Sequence, residues 1–420
     1  VTLFKISLLP VWLYIPWISA LGQTHSGALL IRDVRVFDCE RVLERRSVLV
    51  ENGKIARIGP KNLRAANAEI VDGDGRTLMP GLFDAHVHIP PSPEAALHQF
   101  ASMGVTTVLD MFGGGPKLTA KNRLVSEDPP NMADMRAAGF GATAPGSMFA
   151  RMSRLLPPIA SPEEAQAWVD ARIAEGSDYI KVVYDERIGG PLSLEALRAI
   201  IQAAHARGKL AVIHALTEQK AREAVSAGAD GLVHLFMGDS AANDFGRFAA
   251  EHHVFVVPTL ATLESLCGKS PGPALLADRR LAAHITAEER KTLDRPPDPD
   301  QNHLCKATAE AMHELIEAHV PILAGTDSAQ PGRMGAFVMT GYGASLHVEL
   351  KLLVDEGMTP VEALTAATSA PARAFRFTDR GLIQPGMRAD LLLVEGDPTR
   401  DILHTRDVVA VWKRGVRIER

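Results

Sequence analysis

The chain has 420 residues, 46% hydrophobic and 23% charged. That is enough apolar material for a large buried core without embedding in a bilayer, and enough length for one large barrel with a small partner. A formal charge of −5 excludes the basic footprint that nucleic-acid binding needs.

Residues 1–22 stand apart. Lys5 precedes an apolar run over 6–20 that is interrupted by Pro10 and Pro16, and small residues follow at Ser19, Ala20 and Gly22. This pattern predicts a cleaved signal peptide and a periplasmic or secreted protein. The alternative is a membrane anchor, for which the run is short and broken by proline. Membrane association is expected only if this segment is retained. Cys39, Cys267 and Cys305 have no metal-binding spacing. Export would allow one disulfide, and Cys267 with Cys305 is the better pair because they fall in one region. Three free buried thiols is the preferred reading.

Residues 28–58 alternate as strands do, with Asn52-Gly53 as a hairpin turn signal. Apolar stretches at 390–394 and 408–412, with a turn at 413–417, answer them from the C-terminal end. One small β-sandwich built from 28–78 and 379–420 is the economical arrangement. Between its halves, 79–378 alternates strands with helices, which predicts parallel βαβ units. Strands are expected at 78–88, 106–110, more weakly at 137–144, and then at 179–183, 210–214, 231–234, 254–257 and 321–327. That is about eight, the number a (β/α)8 barrel requires. Ser193 and Thr217 are expected N-caps for helices over 194–207 and 218–227, with Gly208 and Gly228 as stops. The span 262–320 reads as helical with an irregular, proline-rich excursion.

Leu78-Met79-Pro80-Gly81-Leu82-Phe83-Asp84-Ala85-His86-Val87-His88 reads as a buried strand ending in His-x-His. Residues at i and i+2 of a strand share a face, so His86 and His88 point together at the end where a parallel barrel places its chemistry. Two imidazoles converging on one point are half of a metal site. Taken alone, the pair is equally two histidines in a loop. Later strands add more. Lys181 sits mid-strand between apolar neighbours, where a charged ammonium is costly and a lowered pKa frees the amine. His214 and His234 end strands, and Asp327 ends the last one in Gly-Thr-Asp. Each has a plain structural alternative, such as a lysine snorkelling to the rim or an aspartate capping a helix. Together, at one end of separate strands, they point to a metal centre.

The ordered set His86, His88, Lys181, His214, His234 and Asp327 resembles the amidohydrolase superfamily of binuclear metal-dependent hydrolases. Gly73-Asp74-Gly75, the stretch 80–86 and the ending 381–391 add to the likeness, which covers nearly the whole chain after the leader. The branch it looks most like holds Xaa-Pro dipeptidases, imidazolonepropionase-like proteins and ochratoxin-type amidases. The resemblance implies that His86, His88 and Asp327 hold one metal and His214 and His234 a second. A carboxylated Lys181 and a hydroxide would bridge them, with Asp327 as general base and acid. Zinc is the expected metal, with manganese as alternative. The expected reaction is hydrolysis of an amide C–N bond in a small molecule such as an N-acyl amino acid or dipeptide. Ester, lactone or organophosphate hydrolysis by the same centre is the alternative, and a non-catalytic binding protein the more distant one. A homo-oligomer is left open.

One departure stands out. The dipeptidase-like branch often carries Tyr or His two residues after the fifth-strand histidine, where this chain has Leu216. Tyr184, His347 and Tyr342 are therefore candidate substrate contacts, and Arg151 and Arg187 weaker candidates for a substrate carboxylate.

Overall fold

A computed structural model describes residues 27–127, 131–152, 156–241, 243–331 and 341–420. The expected leader over 1–22 lies outside them. Among the described residues no helix is long and apolar enough to cross a membrane.

The two ends of the chain meet in one eight-stranded sheet. Ala28–Phe37, Val42–Glu51 and Lys54–Pro60 form an antiparallel meander. Asn52 and Gly53 turn it with positive φ of 52° and 73°, the geometry that a tight hairpin demands. Ala28–Phe37 also pairs in parallel with Ala68–Asp72 and Thr77–Pro80. Thr77–Pro80 then pairs antiparallel with Leu391–Val394, and Val408–Lys413 and Val416–Arg417 follow. Alternate side chains of these strands, among them Ile31, Val36, Val48, Leu391, Leu393 and Trp412, form a core of their own. The union of both termini is as expected. Thr77–Pro80 joins the strands from the two ends into a single connected sheet.

Thr77–Pro80 leads directly into Leu82–Val87 through Gly81, whose N–H donates to the Asp390 carbonyl (2.8 Å). A Cβ at Gly81 would stand 2.3 Å from the Thr106 hydroxyl, so no larger residue fits this crossing. Leu82–Val87, Val105–Asp110 and Asp134–Ala137 make a parallel three-stranded sheet. Ile180–Val183, Ala211–His214, Gly231–Val233 and Phe255–Val257 make a parallel four-stranded one. The two meet where the Asp178 N–H donates to the Ala137 carbonyl (2.9 Å) and Ala142 bridges Val182. At the other edges, 321–328 bridges Val256 through Ile322 and returns to the first strand. There the Ala85, Asp327 and His88 N–H groups donate to Ala324, His86 and Ser328. The pairing runs in a circuit with the neighbour order of a (β/α)8 barrel. The weak strand expected over 137–144 lies earlier, at Asp134–Ala137, because Gly139 and Gly141 interrupt the extended run.

Helices cover the outside where periodicity placed them. Leu194–His205 and Glu218–Ser226 begin at Ser193 and Thr217, whose side chains accept from the Ala196 and Lys220 N–H groups. The excursion after Phe255–Val257 is a run of short helices. It packs Leu275, Leu281 and Leu293 against Met103 and Val348. Its ends are joined by a Cys267–Cys305 disulfide, and only Cys39 is a free thiol. The preferred reading of three free thiols is thereby corrected. Spacing alone carried no information on whether the folded excursion brings its ends together. Closing a 38-residue separation restricts the unfolded chain. Replacing both cysteines by serine is expected to cost about 2–4 kcal/mol in chemical denaturation under non-reducing conditions. A loss below about 0.5 kcal/mol would show that the crosslink restricts little.

Candidate metal centre

His86 and His88 project from the end of Leu82–Val87, Lys181 from Ile180–Val183, and His214 from Ala211–His214. His234 follows Gly231–Val233 and Asp327 lies in 321–328. All six are buried, none more than 8% exposed. One Asp327 carboxylate oxygen stands 3.2 Å from His86 Nε2 and 2.9 Å from His88 Nε2. These three residues offer ligand atoms within 4.8 Å of one another. The His234 ring lies 4.8 Å from that of His86 and 4.5 Å from that of His214, centroid to centroid.

Polar atoms of this cluster are poorly served by the protein. Lys181 Nζ and His214 Nε2 are buried and have no hydrogen-bond partner; His86 Nδ1 is also unpartnered, but it is the ring nitrogen turned away from Asp327, which His86 meets through Nε2. A buried polar atom without a partner costs about 1–3 kcal/mol, so such atoms in one place call for a guest. Burial holds His86, His214 and His234 well below the ordinary histidine range, which keeps them neutral, as metal ligation requires. Burial also brings Lys181 down to about 7, against the pull of Asp327. For Asp327, burial acts upward, but the His88 hydrogen bond and the neighbouring imidazoles hold it below the usual carboxylate range. The donor set is imidazole, amine and carboxylate in a dry space, and it fits a divalent cation.

Three residues the sequence reading did not assign build the frame. Asp84 accepts from the Thr326 N–H (3.0 Å) and hydroxyl (2.7 Å), locking the first strand to the one that carries Asp327. Burial raises its carboxyl to about 7. Thr259 places its hydroxyl 2.7 Å from His234 Nδ1. Glu349, fully buried on Ala344–Asp355, accepts from the Leu260 and Ala261 N–H groups. Burial lifts it to about 8, against those two hydrogen bonds. Asp84 lay inside the quoted motif. Glu349 left a signal as a charge in an apolar stripe with Leu346, Leu350 and Leu353. Thr259 left none. His234, Thr259 and Asp327 all adopt positive φ, at 68°, 54° and 58°. Side chains are turned inward there at a local cost that folds tolerate mainly at functional positions.

A model of the amidohydrolase family matches residues 77–418. The chain belongs to that family. An imidazolonepropionase of Deinococcus radiodurans is 24% identical over 406 residues, covering 87% of this chain and 89% of that protein. An uncharacterized protein of Mycobacterium tuberculosis is 30% identical over 362 residues, covering 81% and 85%. Among solved structures, a Xaa-Pro dipeptidase with methionine bound in its active site superposes with a TM-score of 0.73 at 21% identity, covering 94% of this chain and all of that one. This amidohydrolase is therefore a hydrolase acting on C–N bonds, in a family that uses divalent metals, and its His86–His88–Asp327 cluster suits such an ion.

The candidate substrate contacts divide. Tyr184 faces the helices, where its hydroxyl donates to Glu223 (2.6 Å) and Lys220 lies over its ring. Strand alternation explains this, since Lys181 faces inward and the side chain three positions on faces out. His347 lies elsewhere too. It is buried, with Nε2 donating to the Met103 carbonyl and Nδ1 3.0 Å from the Thr405 hydroxyl. Tyr342 does come to the centre, from behind: its hydroxyl donates to the His88 carbonyl (3.2 Å) and its ring packs on Phe100. Arg187 pairs with buried Asp185 (2.9 Å) on the loop after the Lys181 strand and keeps most of its side chain exposed. Arg151 is exposed on Met148–Met152, whose Phe149 stacks on Phe112.

Burial lowers His347 to about 4, from an ordinary value of 6.5. Between those values the unfolded chain takes up a proton that the folded one refuses, so stability falls as pH drops from about 6.5 to about 4. The loss is expected to reach at most about 3 kcal/mol. His347→Gln should flatten that limb in urea melts across this range. An unchanged pH profile would show that His347 is not the group responsible.

Proposed function

We propose that this amidohydrolase is a binuclear metal-dependent hydrolase of small amides that end in a carboxylate, such as N-acyl amino acids or dipeptides. The observation that carries the reading is the meeting of six buried donors from five strands, among them Lys181 Nζ and His214 Nε2, which no protein group satisfies. His86, His88 and Asp327 would hold one ion, and His214 and His234 the other, with zinc the metal best suited to these donors. The neutral share of Lys181 that its lowered pKa makes available would add carbon dioxide at Nζ and lose a proton. The carbamate would supply an anionic bridge on a stem longer than that of Asp or Glu.

Divalent ions in such a set lower the pKa of water from about 15.7 toward about 7 and polarise a carbonyl oxygen. The protein's own residues do the rest. Asp327, held ionised, takes the proton from the attacking water and delivers it to the departing amine. The hydrogen bond from Tyr342 steadies the His88 backbone. Arg187, steered by Asp185, offers a guanidinium on the loop beyond Lys181 for the substrate carboxylate. A disulfide buried in the fold supports an exported protein, since oxidising compartments preserve such bonds.

The test is elemental analysis of protein reconstituted with zinc, paired with turnover on panels of N-acyl amino acids, dipeptides, lactones and phosphotriesters. Two ions per chain and preference for carboxylate-bearing amides are expected. Fewer than one ion, or turnover confined to lactones or phosphotriesters, would overturn the proposal.

A further inference from the structure

We infer that Glu349 is a positioning residue for the metal centre: its carboxyl group binds the backbone after Thr259 and so frees the Thr259 hydroxyl to orient His234. The inference rests on the reading of His234 as a metal ligand.

Thr259 immediately precedes the helix Leu260–Leu266. A threonine at this place ordinarily turns its hydroxyl onto the helix's first N–H groups. Here it makes no such bond and sits in the left-handed region, with φ 54° and ψ 47°. That region is rare for a β-branched residue and is held only where the surroundings insist on it. The hydroxyl goes instead to His234 Nδ1, at 2.7 Å. The N–H groups at the start of this helix, including that of Ala261 which the hydroxyl would otherwise cap, do not go unpaired. Leu260 donates to one oxygen of Glu349 (2.9 Å) and Ala261 to the other (2.8 Å). Both groups are buried, and the carboxyl group comes from a helix 88 and 89 residues further along the chain. The next residue ties the loop to the opposite wall, with the Thr262 hydroxyl donating to the Thr326 carbonyl (2.8 Å).

The chemistry follows from the hydrogen count. With Nδ1–H given to Thr259, His234 keeps a lone pair on Nε2. The outer partner of a ligating histidine fixes tautomer and ring orientation in this way, and losing it commonly costs 10–100-fold in metal affinity. Glutamine at 349 presents one acceptor and one donor, so one of the two N–H groups would face another donor. The Thr259 hydroxyl is then the nearest replacement, and it would leave His234.

The test is titration of apo-protein with cobalt(II), reading both affinity and the visible d–d absorption. Thr259→Val and Glu349→Gln are each expected to weaken cobalt binding about 10–100-fold and alter the absorption band. Thr259→Ser, which keeps the hydroxyl, should bind as wild type. The double variant Glu349→Gln/Thr259→Val should be no weaker than Thr259→Val alone, because both act on one bond. Wild-type affinity and spectrum in Glu349→Gln, or fully additive losses in the double variant, would overturn the inference. If Glu349→Gln does not fold, equal affinity in Thr259→Val and wild type overturns it as well. Wild-type protein that binds no cobalt would overturn the metal reading and this inference with it.

Discussion

Lys181→Ala is expected to lose at least one metal ion per chain and about a thousandfold or more in kcat/KM, the several kcal/mol a metal centre contributes to a transition state. Lys181 is buried, its Nζ has no hydrogen-bond partner, and its pKa, lowered to about 7, leaves a large share of the amine neutral near pH 7. A lysine in this setting offers nothing to packing that leucine would not. Its worth lies in the nitrogen. Two cations a few ångströms apart repel, and the only carboxylate among the six donors is Asp327, so a second anion is needed between them. Lys181→Arg should fail as fully as alanine, because guanidinium stays protonated and forms no carbamate. Short carboxylic acids supplied with metal should partly restore Lys181→Ala. The measurements are metal content by elemental analysis and turnover with and without added acetate or propionate. If Lys181→Ala keeps two ions and near-normal turnover, the bridging role is wrong, and the centre shrinks to one ion on His86, His88 and Asp327.

Asp134→Ala is expected to destabilise the protein by about 3–5 kcal/mol, the cost of leaving buried charge uncompensated. Asp134 is the first residue of the strand Asp134–Ala137 and meets three buried cations from the C-terminal part of the chain, with the more exposed Arg414 at 4.0 Å. Arg380 and Arg388 donate to one of its oxygens, at 2.6 and 2.5 Å, and Lys413 Nζ stands 2.6 Å from the other. None of the four side chains is more than 11% exposed. These cations hold the Asp134 carboxyl well below the usual range despite its burial. A buried ion pair is weak evidence of stability when exchanged whole for apolar groups. Removing one anion from among three cations is different, since Asp390 and Asp379 are left to balance them alone. The cluster is also the polar seam between the terminal sheet and the barrel, so its loss should loosen one from the other. Urea denaturation with two probes, far-UV circular dichroism and the fluorescence of Trp412 in a background with Trp168 replaced by phenylalanine, reads both effects. A cost under about 1 kcal/mol would show that the cations find water or other partners without Asp134.

The ends and the middle of the chain differed in how much of them could be read directly. Period-2 alternation and Asn52-Gly53 are local signals, and they marked the terminal strands within a few residues, apart from Ala68–Asp72, which was not expected. The helices after Ser193 and Thr217 were equally legible, because capping is settled by a hydroxyl and an N–H three residues away. Whether the terminal strands make one sheet or two depends on Thr77–Pro80 pairing with strands from both ends, a contact across more than 300 residues. The six candidate ligands were legible because the strand period puts His86 and His88 on one face, and because a lysine or histidine in an apolar run has few uses. That same alternation, carried three residues past Lys181, would have turned Tyr184 outward.

What the sequence determined alone is the set of donors and the order of strands that brings them to one end of the fold: both follow from local periodicity and from the price of burying charge. What only the tertiary structure decided is who supports whom. The Cys267–Cys305 bridge, the Asp134 cluster, and Glu349 behind Thr259 behind His234 are each made by residues far apart in sequence. Their partners are chosen by packing distance and by the need to satisfy buried hydrogen bonds, and neither leaves a pattern along the chain.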